Sequence, residues 1–549
     1  MSFNSNILKT TRFQEIIATL AKYGLADWLQ NANIESINGY LKNSSGKDLR
    51  KYSKEVRVRM AFGELGTTFI KFGQILSTRS DLIGPVMAEE LSLLQSDTKA
   101  DGIAKVRSKI KKEFGVKKID EVFASFTTKP IASASIAQVH KATLHSGQEV
   151  VVKVMHEGIE SKVHEDLKIL AKLAKLAQLH VGSLKYAQPE LLVKLFSQTM
   201  IDELDFNKEL QNIQTFRKNF STNDKVEFPE VFTEQSGKSV LTMSFLKGPS
   251  LKKVKDLDWT PEQKSQFAEE SAGVFMDMMF RDSFYHADPH PGNLLIQEGE
   301  KLGIIDCGMV NKLDAKSQKI FEELIIGVAE KDAEHIKNTI LGMCTFPKGT
   351  DYDTLTFQID EFINRFLNLP LNQFDMTAAI KEVTAIIQEH HITIPPNMSN
   401  LLRVVVLLEG SSRLLNPAFN IAVLFEKYQI KIMQRRYAPH VVIKKITKNL
   451  HQWEHIAETL PKAIDKAIHK ISSDNFQINM EHRNLEKSVN RIVMALISAA
   501  LFLGSSLLMA FKVPPAIDGN SIIGIIGILS ASILSFVLIR DIQKETKGS

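Results

Sequence analysis

Residues 284–310 read FYHADPHPGNLLIQEGEKLGIIDCGMV, a polar loop followed by a predicted strand–turn–strand hairpin. Asn293 follows Asp288 by five residues, and the second strand ends at Asp306. The amide oxygen of Asn293 and the carboxylate of Asp306 are hard ligands, which Mg²⁺ prefers when it bridges nucleotide phosphates. Asp288 lies where a carboxylate can orient or deprotonate a nucleophile. The pattern predicts metal ligands at Asn293 and Asp306 and a catalytic Asp288, although a polar loop beside a core strand would give the same motif.

A single lysine, Lys153, interrupts the apolar run 150–154. A lysine in such a run is costly to bury unless an anion meets it. Nucleotide phosphates are one partner, and the segment ELDFNKELQN (203–212), predicted as a helix, offers carboxylates. Glu203 and Glu209 would lie nearly opposite each other on a helix of 3.6 residues per turn, so they should not share a role. We expect Lys153 to contact the α- and β-phosphates and to pair with Glu209.

Strand lysine, helix glutamate, His-x-Asp-x4-Asn and Asp-x-Gly occur in the order typical of protein kinases. The glycine-rich loop of that set is missing, and the alanine-rich segment IASASIAQVHKA (131–142) stands in its place. Alanines allow close backbone approach but disfavour the positive φ angles that glycines permit, so the loop should be stiffer. An ordinary hairpin is the alternative for this segment alone. The residues expected to contact the nucleotide are Ala132, Ser133, Ala134, Ser135, Ala137, Lys153 and Met243.

The composition bounds the function classes. A chain of 549 residues suggests three to four structural units. Lysine and arginine exceed aspartate and glutamate by only 68 to 63, which does not indicate a nucleic-acid-binding protein. Two cysteines cannot form a disulfide framework and suit a reducing compartment.

Two uncharged apolar runs near the C-terminus, 492–511 and 521–539, can each cross a bilayer as a helix. Buried core helices are the alternative, but core helices rarely lack a polar face over this length. Lysine and arginine flank the pair on its outer sides, which predicts a cytoplasmic body, in bacteria at the inner membrane. Small residues at four-residue steps would let the helices pack closely or dimerise, namely Ala500 with Gly504 and Gly527 with Ala531 and Ser535.

The motifs together resemble the UbiB (AarF/ADCK) family of atypical kinases. The alanine-rich loop and the segment 286–293 are similar to its signatures, as are Lys71 and Gln74 of a Lys-x-Gly-Gln motif and the Glu-x-Asp at Glu203 and Asp205. The resemblance runs from about residue 50 to 430. It implies an α+β, atypical protein-kinase-like two-lobe fold with an extra N-terminal helical layer and a C-terminal two-helix transmembrane hairpin.

The resemblance also implies a division of the chain. The expected parts are an N-terminal helical extension (1–120), a kinase-like N-lobe (121–246), a C-lobe (247–430), a basic helical linker (431–490) and the transmembrane hairpin (491–540). The basic stretch 430–448 is explained equally well as a solvated helix face or as a surface held against anionic lipid.

The family further implies ATP and Mg²⁺ as ligands and ATP hydrolysis in support of ubiquinone or another isoprenoid quinone. Lys71 and Gln74 would lie over the active site, meet the motif at Glu203 and Asp205, and regulate access. Implied partners are a membrane lipid or quinone intermediate, quinone-biosynthesis enzymes and a second copy of the chain. Two alternatives stay open: a true protein or lipid kinase, and a non-catalytic scaffold that presents lipids.

Overall fold

The computed structural model describes residues 10–25, 51–77, 79–94, 99–180, 188–347, 349–367, 375–438, 485–511, 513–517 and 520–546. The chain forms two compact units, residues 1–441 and 442–549. The first unit contains every candidate site residue, and the second contains the two apolar C-terminal helices. Most of the predicted basic linker lies outside the described residues.

The N-terminal part of the described chain is helical, as predicted. Its helices are α1 (Thr11–Lys22), α2 (Lys54–Leu65), α3 (Thr67–Ser77), α4 (Ser80–Ile83), α5 (Pro85–Ser92) and α6 (Ile103–Phe114). The Ser53 side chain caps α2 by accepting the Val56 N–H, which has no partner within the helix. Gly66 separates α2 from α3 and adopts a φ of 90°. A glycine is suited to this position because residues with a β-carbon disfavour that angle. This turn orients α3, the helix that carries Lys71.

The first lobe is built on an antiparallel sheet. Its strands are β1 (Ser125–Phe126), β2 (Ala132–Ser133), β3 (Ala137–Thr143), β4 (Glu149–Met155) and β6 (Val240–Ser244). The short strand β5 (Val226–Glu227) precedes β6 in the chain and belongs to another sheet. They are ordered β1-β3-β4-β6, with β2 paired to β3. The turn predicted at 145–147 is confirmed, and Gly147 adopts a φ of 86° there. Lys153 lies on β4 between Val139 of β3 and Leu241 of β6.

Three helices interrupt this sheet between β4 and β6. They are α7 (Ile159–His180), α8 (Pro189–Glu203) and α9 (Phe206–Asn219). The prediction of one helix over 203–212 is wrong, because α8 ends at Glu203 and α9 begins three residues later. Asp205 adopts an extended conformation, and its carboxylate caps α9 by accepting the Asn207 N–H at 3.1 Å. The break separates Glu203 from Glu209 by placing them on different helices.

The second lobe begins with a buried helix followed by short strands. These elements are α10 (Pro261–Phe280), β7 (Phe284–His286), β8 (Leu294–Gln297), β9 (Lys301–Ile304) and β10 (Val310–Lys312). The predicted hairpin is confirmed, since β8 and β9 pair antiparallel, and β7 pairs with β10. The Ile305 N–H donates to the Asn293 carbonyl at 3.1 Å, just beyond the hairpin register. The loop 287–293 and the segment 305–309 are therefore neighbours.

Six further helices complete the first unit. They are α11 (Ala315–Glu330), α12 (Ala333–Met343), α13 (Tyr352–Leu367), α14 (Met376–Glu389), α15 (Pro396–Arg413) and α16 (Ala422–Arg436). The predicted break at Asn416 and Pro417 is confirmed and separates α15 from α16. Leu401, Val404 and Leu408 anchor α15 in the core. The Ser411 hydroxyl donates to the Pro289 carbonyl at 2.8 Å, so α15 contacts the loop that carries Asp288.

The second unit contains the helices α17 (Leu485–Ala510) and α18 (Ile522–Thr546), joined by β11 (Ala516–Ile517) and β12 (Asn520–Ser521). Ile492–Ala510 and Ile522–Arg540 are long and apolar enough to cross a membrane, with mean hydropathies of 2.3 and 2.7. The Ser498 hydroxyl contacts the Ala531 carbonyl and the Ser535 hydroxyl at 3.0 and 2.7 Å. Of the predicted small-residue steps, the one on α18 lies at this helix contact, whereas Ala500 and Gly504 are exposed.

Candidate functional site

The Lys153 ammonium lies between two carboxylates. Its Nζ is 2.8 Å from Glu209 Oε2 and 3.7 Å from Asp306 Oδ1. Although burial acts to lower it, the charges of Asp306 and Glu209 hold the pKa of Lys153 above its usual value. Burial and the nearby charge of Asp306 raise the pKa of Glu209 to about 7, although the Lys153 ammonium acts to lower it. The structure thus brings together the three residues that the sequence places on a strand, a helix and a loop.

Asp306 keeps its negative charge. Burial acts to raise its pKa, but the Lys153 ammonium and the Gly308 N–H, which donates to Oδ1 at 3.0 Å, hold that pKa well below its usual range. Cys307 is buried beside it, and its carbonyl accepts a hydrogen bond from the Asn212 amide at 2.9 Å. The short turn after β9 therefore fixes the Asp306 carboxylate at the strand end.

His286 joins the two loops. Its Nδ1 accepts the Asp288 N–H at 3.0 Å, so its Nε2 carries the proton and donates to the Asp306 carbonyl. The Asn293 amide nitrogen lies 3.5 Å from Asp288 Oδ2. These contacts fix the two loops relative to each other. They hold Asp288, Asn293 and Asp306 in one cluster.

Lys71 of α3 reaches the same cluster from the N-terminal helices. Its Nζ is 3.1 Å from Glu203 Oε2 at the end of α8. Burial acts to lower the pKa of Lys71, but the charges of Glu203, Asp306 and Asp288 raise it. The Gln74 amide donates to the Leu94 carbonyl at 2.9 Å, and the Asp205 carboxylate caps α9. Of the four predicted regulatory residues, Lys71 and Glu203 thus form a direct pair across the site.

A cavity of about 100 Å³, which we call the cleft, joins these groups. It is bordered by Lys71, Ala134, Ser135, Ile136, Ala137, Lys153, Asp202, Glu203, Asp205, Phe206, Glu209, His286, Asp288, Asn293, Asp306, Gly308 and Met309. Four predicted residues do not border it: Ala132 and Ser133 lie in β2, Met243 is buried in β6, and Gln74 points to Leu94. Ligand sites usually measure about 300–1,000 Å³, so a whole nucleotide requires the cleft to widen.

The residues of the cleft fit a divalent cation. Six carboxylates and two ammonium groups border it, which leaves negative charge in excess. No cluster of three histidine, cysteine or acidic side chains is arranged as a metal centre among the described residues. Mg²⁺ does not require such a cluster, since one or two protein oxygens, phosphates and water complete its octahedron. Asn293 and Asp306 would supply those protein oxygens.

Arg403 of α15 was not identified from the sequence. Its guanidinium lies 3.6 Å from Asp288 Oδ1, and burial lowers its pKa against the opposing effect of Asp288. No local signal marks it, because α15 follows Asp288 by a long stretch of chain and reaches it only through packing. His156 and Asp101, which contact the alanine-rich loop, were missed for the same reason.

Comparisons with known proteins show the family of this chain. Residues 93–340 match the model of the ABC1 atypical kinase-like domain, 359–420 the UbiB helical domain and 477–544 the ABC1/UbiB kinase-like C-terminal domain. A "Probable protein kinase UbiB" from Aeromonas salmonicida is 30% identical over 462 residues, which cover 82% of this chain and 84% of that protein. The chain belongs to the UbiB family of atypical kinase-like proteins.

Two further relatives and one solved structure are also similar to the chain. The "Probable protein kinase UbiB" of Pseudomonas putida is 30% identical, over 74% of this chain and 76% of its own length. A Clostridium pasteurianum protein, named "Uncharacterized protein in hydrogenase 1 5'region", is 29% identical over 97% of this chain and 98% of its own. A solved structure, "The complex structure of Rv3197-erythromycin from Mycobacterium tuberculosis", has 22% identity, a TM-score of 0.38, and coverage of 63% of this chain and 88% of that one.

The family assignment confirms the kinase-like α+β fold. The ABC1 match contains Lys153, Glu209, Asp288, Asn293 and Asp306. The match to the UbiB helical domain contains α15 and its Arg403. The match to the C-terminal domain contains the apolar spans of the last two helices. The protein is therefore a kinase-like member of the UbiB family with two helices that could anchor it in a membrane.

Proposed function

We propose that the protein is a membrane-anchored ATPase of kinase-like fold that binds Mg–ATP in the cleft and supports the biosynthesis of ubiquinone or a related isoprenoid quinone. The observation that carries the proposal is the position of Lys153, 2.8 Å from Glu209 and 3.7 Å from Asp306. A cation fixed between two acidic groups at the base of a cleft suits phosphate alignment, the main requirement of phosphoryl transfer.

Each residue has a distinct part in this proposal. Lys153, oriented by Glu209, contacts the α- and β-phosphates, and Ala134, Ser135 and Ala137 bring the loop backbone close to the nucleotide. Asp306 and Asn293 hold Mg²⁺, which supplies neutralisation of phosphate charge. Asp288 aligns the attacking water, and its carboxylate lies next to Arg403. Met243, Ala132 and Ser133 support the sheet and loop behind the nucleotide.

Lys71 and Glu203 regulate entry in this proposal. Their ion pair joins α3 to α8 over the cleft, whose volume is smaller than a nucleotide requires. Gln74 holds α3 through the Leu94 carbonyl, and Asp205 fixes the start of α9. Opening must break or displace the Lys71–Glu203 pair, and the covering helix leaves little room for a peptide substrate.

The hairpin anchors the protein in the bacterial inner membrane, with the kinase-like unit in the cytoplasm. A quinone intermediate or another membrane lipid is then within reach, together with the enzymes that modify it. The exposed step of Ala500 and Gly504 offers a contact for a second copy of the chain. Nucleic acid is not an expected partner, since the charge surplus of the whole chain is only +5.

The decisive experiment offers labelled ATP to the purified full-length protein with and without membrane extract. Release of phosphate, lost in Asp306→Asn, supports the ATPase. Stable transfer of label to one protein or lipid supports a true kinase instead, which would use the same nucleotide residues. Absence of both activities and of nucleotide binding supports a non-catalytic scaffold. Quinone-intermediate profiles of cells carrying Asp306→Asn test the biosynthetic role.

A further inference from the structure

A buried histidine at the end of β4 makes two hydrogen bonds that together define its charge. His156 Nδ1 lies 3.0 Å from Asp101 Oδ2, and its Nε2 lies 3.0 Å from the Ala134 carbonyl oxygen. A carbonyl and a carboxylate only accept hydrogen bonds, so both ring nitrogens must donate. The imidazolium is the form of His156 that makes both bonds.

Asp101 is held so that it can serve as this acceptor. Its carboxylate also accepts the Glu157 N–H at 3.0 Å, and its own N–H donates to the Gln138 side chain at 2.6 Å. Burial acts to raise the pKa of Asp101, but the Glu157 N–H, His156 and Lys105 lower it. An ionised Asp101 leaves the proton of the pair on His156.

The second bond sets the direction of one peptide in the alanine-rich loop. His156 does not border the cleft, whereas Ala134 and Ser135 do, so the Ala134 carbonyl is held away from it. In a trans peptide the N–H points opposite to the carbonyl. The Ser135 N–H has no acceptor among the described residues, and the Ser135 carbonyl is occupied by the Thr67 hydroxyl at 3.3 Å.

This arrangement replaces what glycines would otherwise provide. No residue from 132 to 137 has a positive φ, so the loop aims its peptides without the left-handed conformations that glycine permits. We propose that His156, as an imidazolium held by Asp101, is a positioning residue that turns the Ser135 N–H toward the phosphates of a bound nucleotide. This inference rests on the proposed nucleotide-binding function.

A consequence is that nucleotide affinity depends on the two hydrogen bonds of His156. The charged groups around the contact are Asp101 itself, Lys105 on α6, which acts on Asp101, and Glu157, whose side chain is exposed. A side chain without a donor at this position leaves the Asp101 carboxylate and the Ala134 carbonyl without their partner. The Ala134 peptide is then released, and the Ser135 N–H is no longer held toward the cleft.

The test measures MgADP binding by calorimetry to the full-length protein in detergent. His156→Leu removes both ring donors, whereas His156→Gln keeps an amide donor. We expect His156→Leu to bind MgADP about tenfold more weakly than wild type, the size of one hydrogen bond to a charged group, and His156→Gln to recover part of that affinity.

Two further variants separate this role from a general structural one. Asp101→Asn removes the charge that holds His156, so it should weaken MgADP binding in the same direction as His156→Leu. His145→Gln, in the exposed turn of the same sheet, should leave the affinity unchanged. Wild-type affinity in His156→Leu, or no recovery of affinity in His156→Gln, overturns the proposal. If His156→Leu does not fold, the affinity of Asp101→Asn decides, and absence of MgADP binding to wild type overturns the nucleotide-binding function instead.

Discussion

Lys71 Nζ and Glu203 Oε2 lie 3.1 Å apart, which ties the N-terminal helix α3 to the end of α8 directly over the cleft. Both side chains are largely buried, with 20% and 11% of their surface exposed. Breaking this ion pair shifts the equilibrium from a closed to an open cleft only by the free energy with which the pair stabilises the closed state. The Lys71–Glu203 pair is therefore a measurable restraint on nucleotide entry.

Lys71→Met should increase the association rate of MgADP about tenfold, because a binding-competent state that is rarely populated limits the rate. Stopped-flow fluorescence with a labelled ADP measures this. Lys22→Met is a matched control, since Lys22 forms an exposed pair with Glu64 at 2.8 Å on the same helical layer. An unchanged association rate in Lys71→Met would show that the pair does not limit entry.

Lys153→Ala and Asp306→Asn should each abolish ATP hydrolysis, because phosphate alignment and metal binding then lose their charged groups. Phosphate release by the purified protein is the measurement. Lys141→Ala, an exposed lysine on the adjacent strand, should hydrolyse ATP as wild type does. Wild-type rates in both cleft variants would defeat the proposed function.

Arg403→Met should lower kcat by about ten- to a hundredfold while nucleotide affinity is kept, because Asp288 loses the guanidinium that lies 3.6 Å away. Arg403→Lys should recover part of kcat by restoring the charge without the planar fork. Arg365→Met, which removes the two ion pairs of an exposed arginine on α13, serves as the control. A loss of nucleotide affinity equal to the loss of kcat would contradict a role at Asp288.

Ala134→Gly should change the affinities for ATP and ADP, because glycine gives the alanine-rich loop access to positive φ angles that it does not use now. Calorimetry with each nucleotide measures the change. Since Ala134 borders the cleft and its carbonyl is held by His156, a flexible peptide here should weaken binding by several-fold. Equal affinities in both proteins would exclude a special role for this position.

The nucleotide-free protein should lose stability as Glu209 ionises. Its pKa rises from 4.5 to about 7 on folding, so the folded state binds the extra proton between these values. The stabilisation is complete below about pH 4.5 and disappears as the pH rises through about 7. We expect the melting temperature of wild type relative to Glu209→Gln to fall over this interval, by differential scanning fluorimetry. A constant difference would contradict the raised pKa.

Several features could be predicted from local sequence because their physical causes are local. A lysine in an apolar strand requires an anion, and a His-x-Asp-x4-Asn loop beside a hairpin keeps its spacing whatever surrounds it. The hairpin at 294–304 and the apolar helices of the second unit follow from residue periodicity and length. The end of α8 at Glu203 and the start of α9 after Asp205 were not predicted. An aspartate within a helical pattern acts as a helix cap only where the chain turns, and the sequence does not show the turn.

The sequence alone determined the kinase-like fold, the identity of the charged groups and the family, since these depend on residue type and spacing along the chain. Tertiary structure decided which groups meet: Lys71 with Glu203, Arg403 with Asp288, and His156 with both Asp101 and Ala134. Contacts between residues far apart in the chain are set by the packing of whole helices, and a side chain carries no local mark of its distant partner.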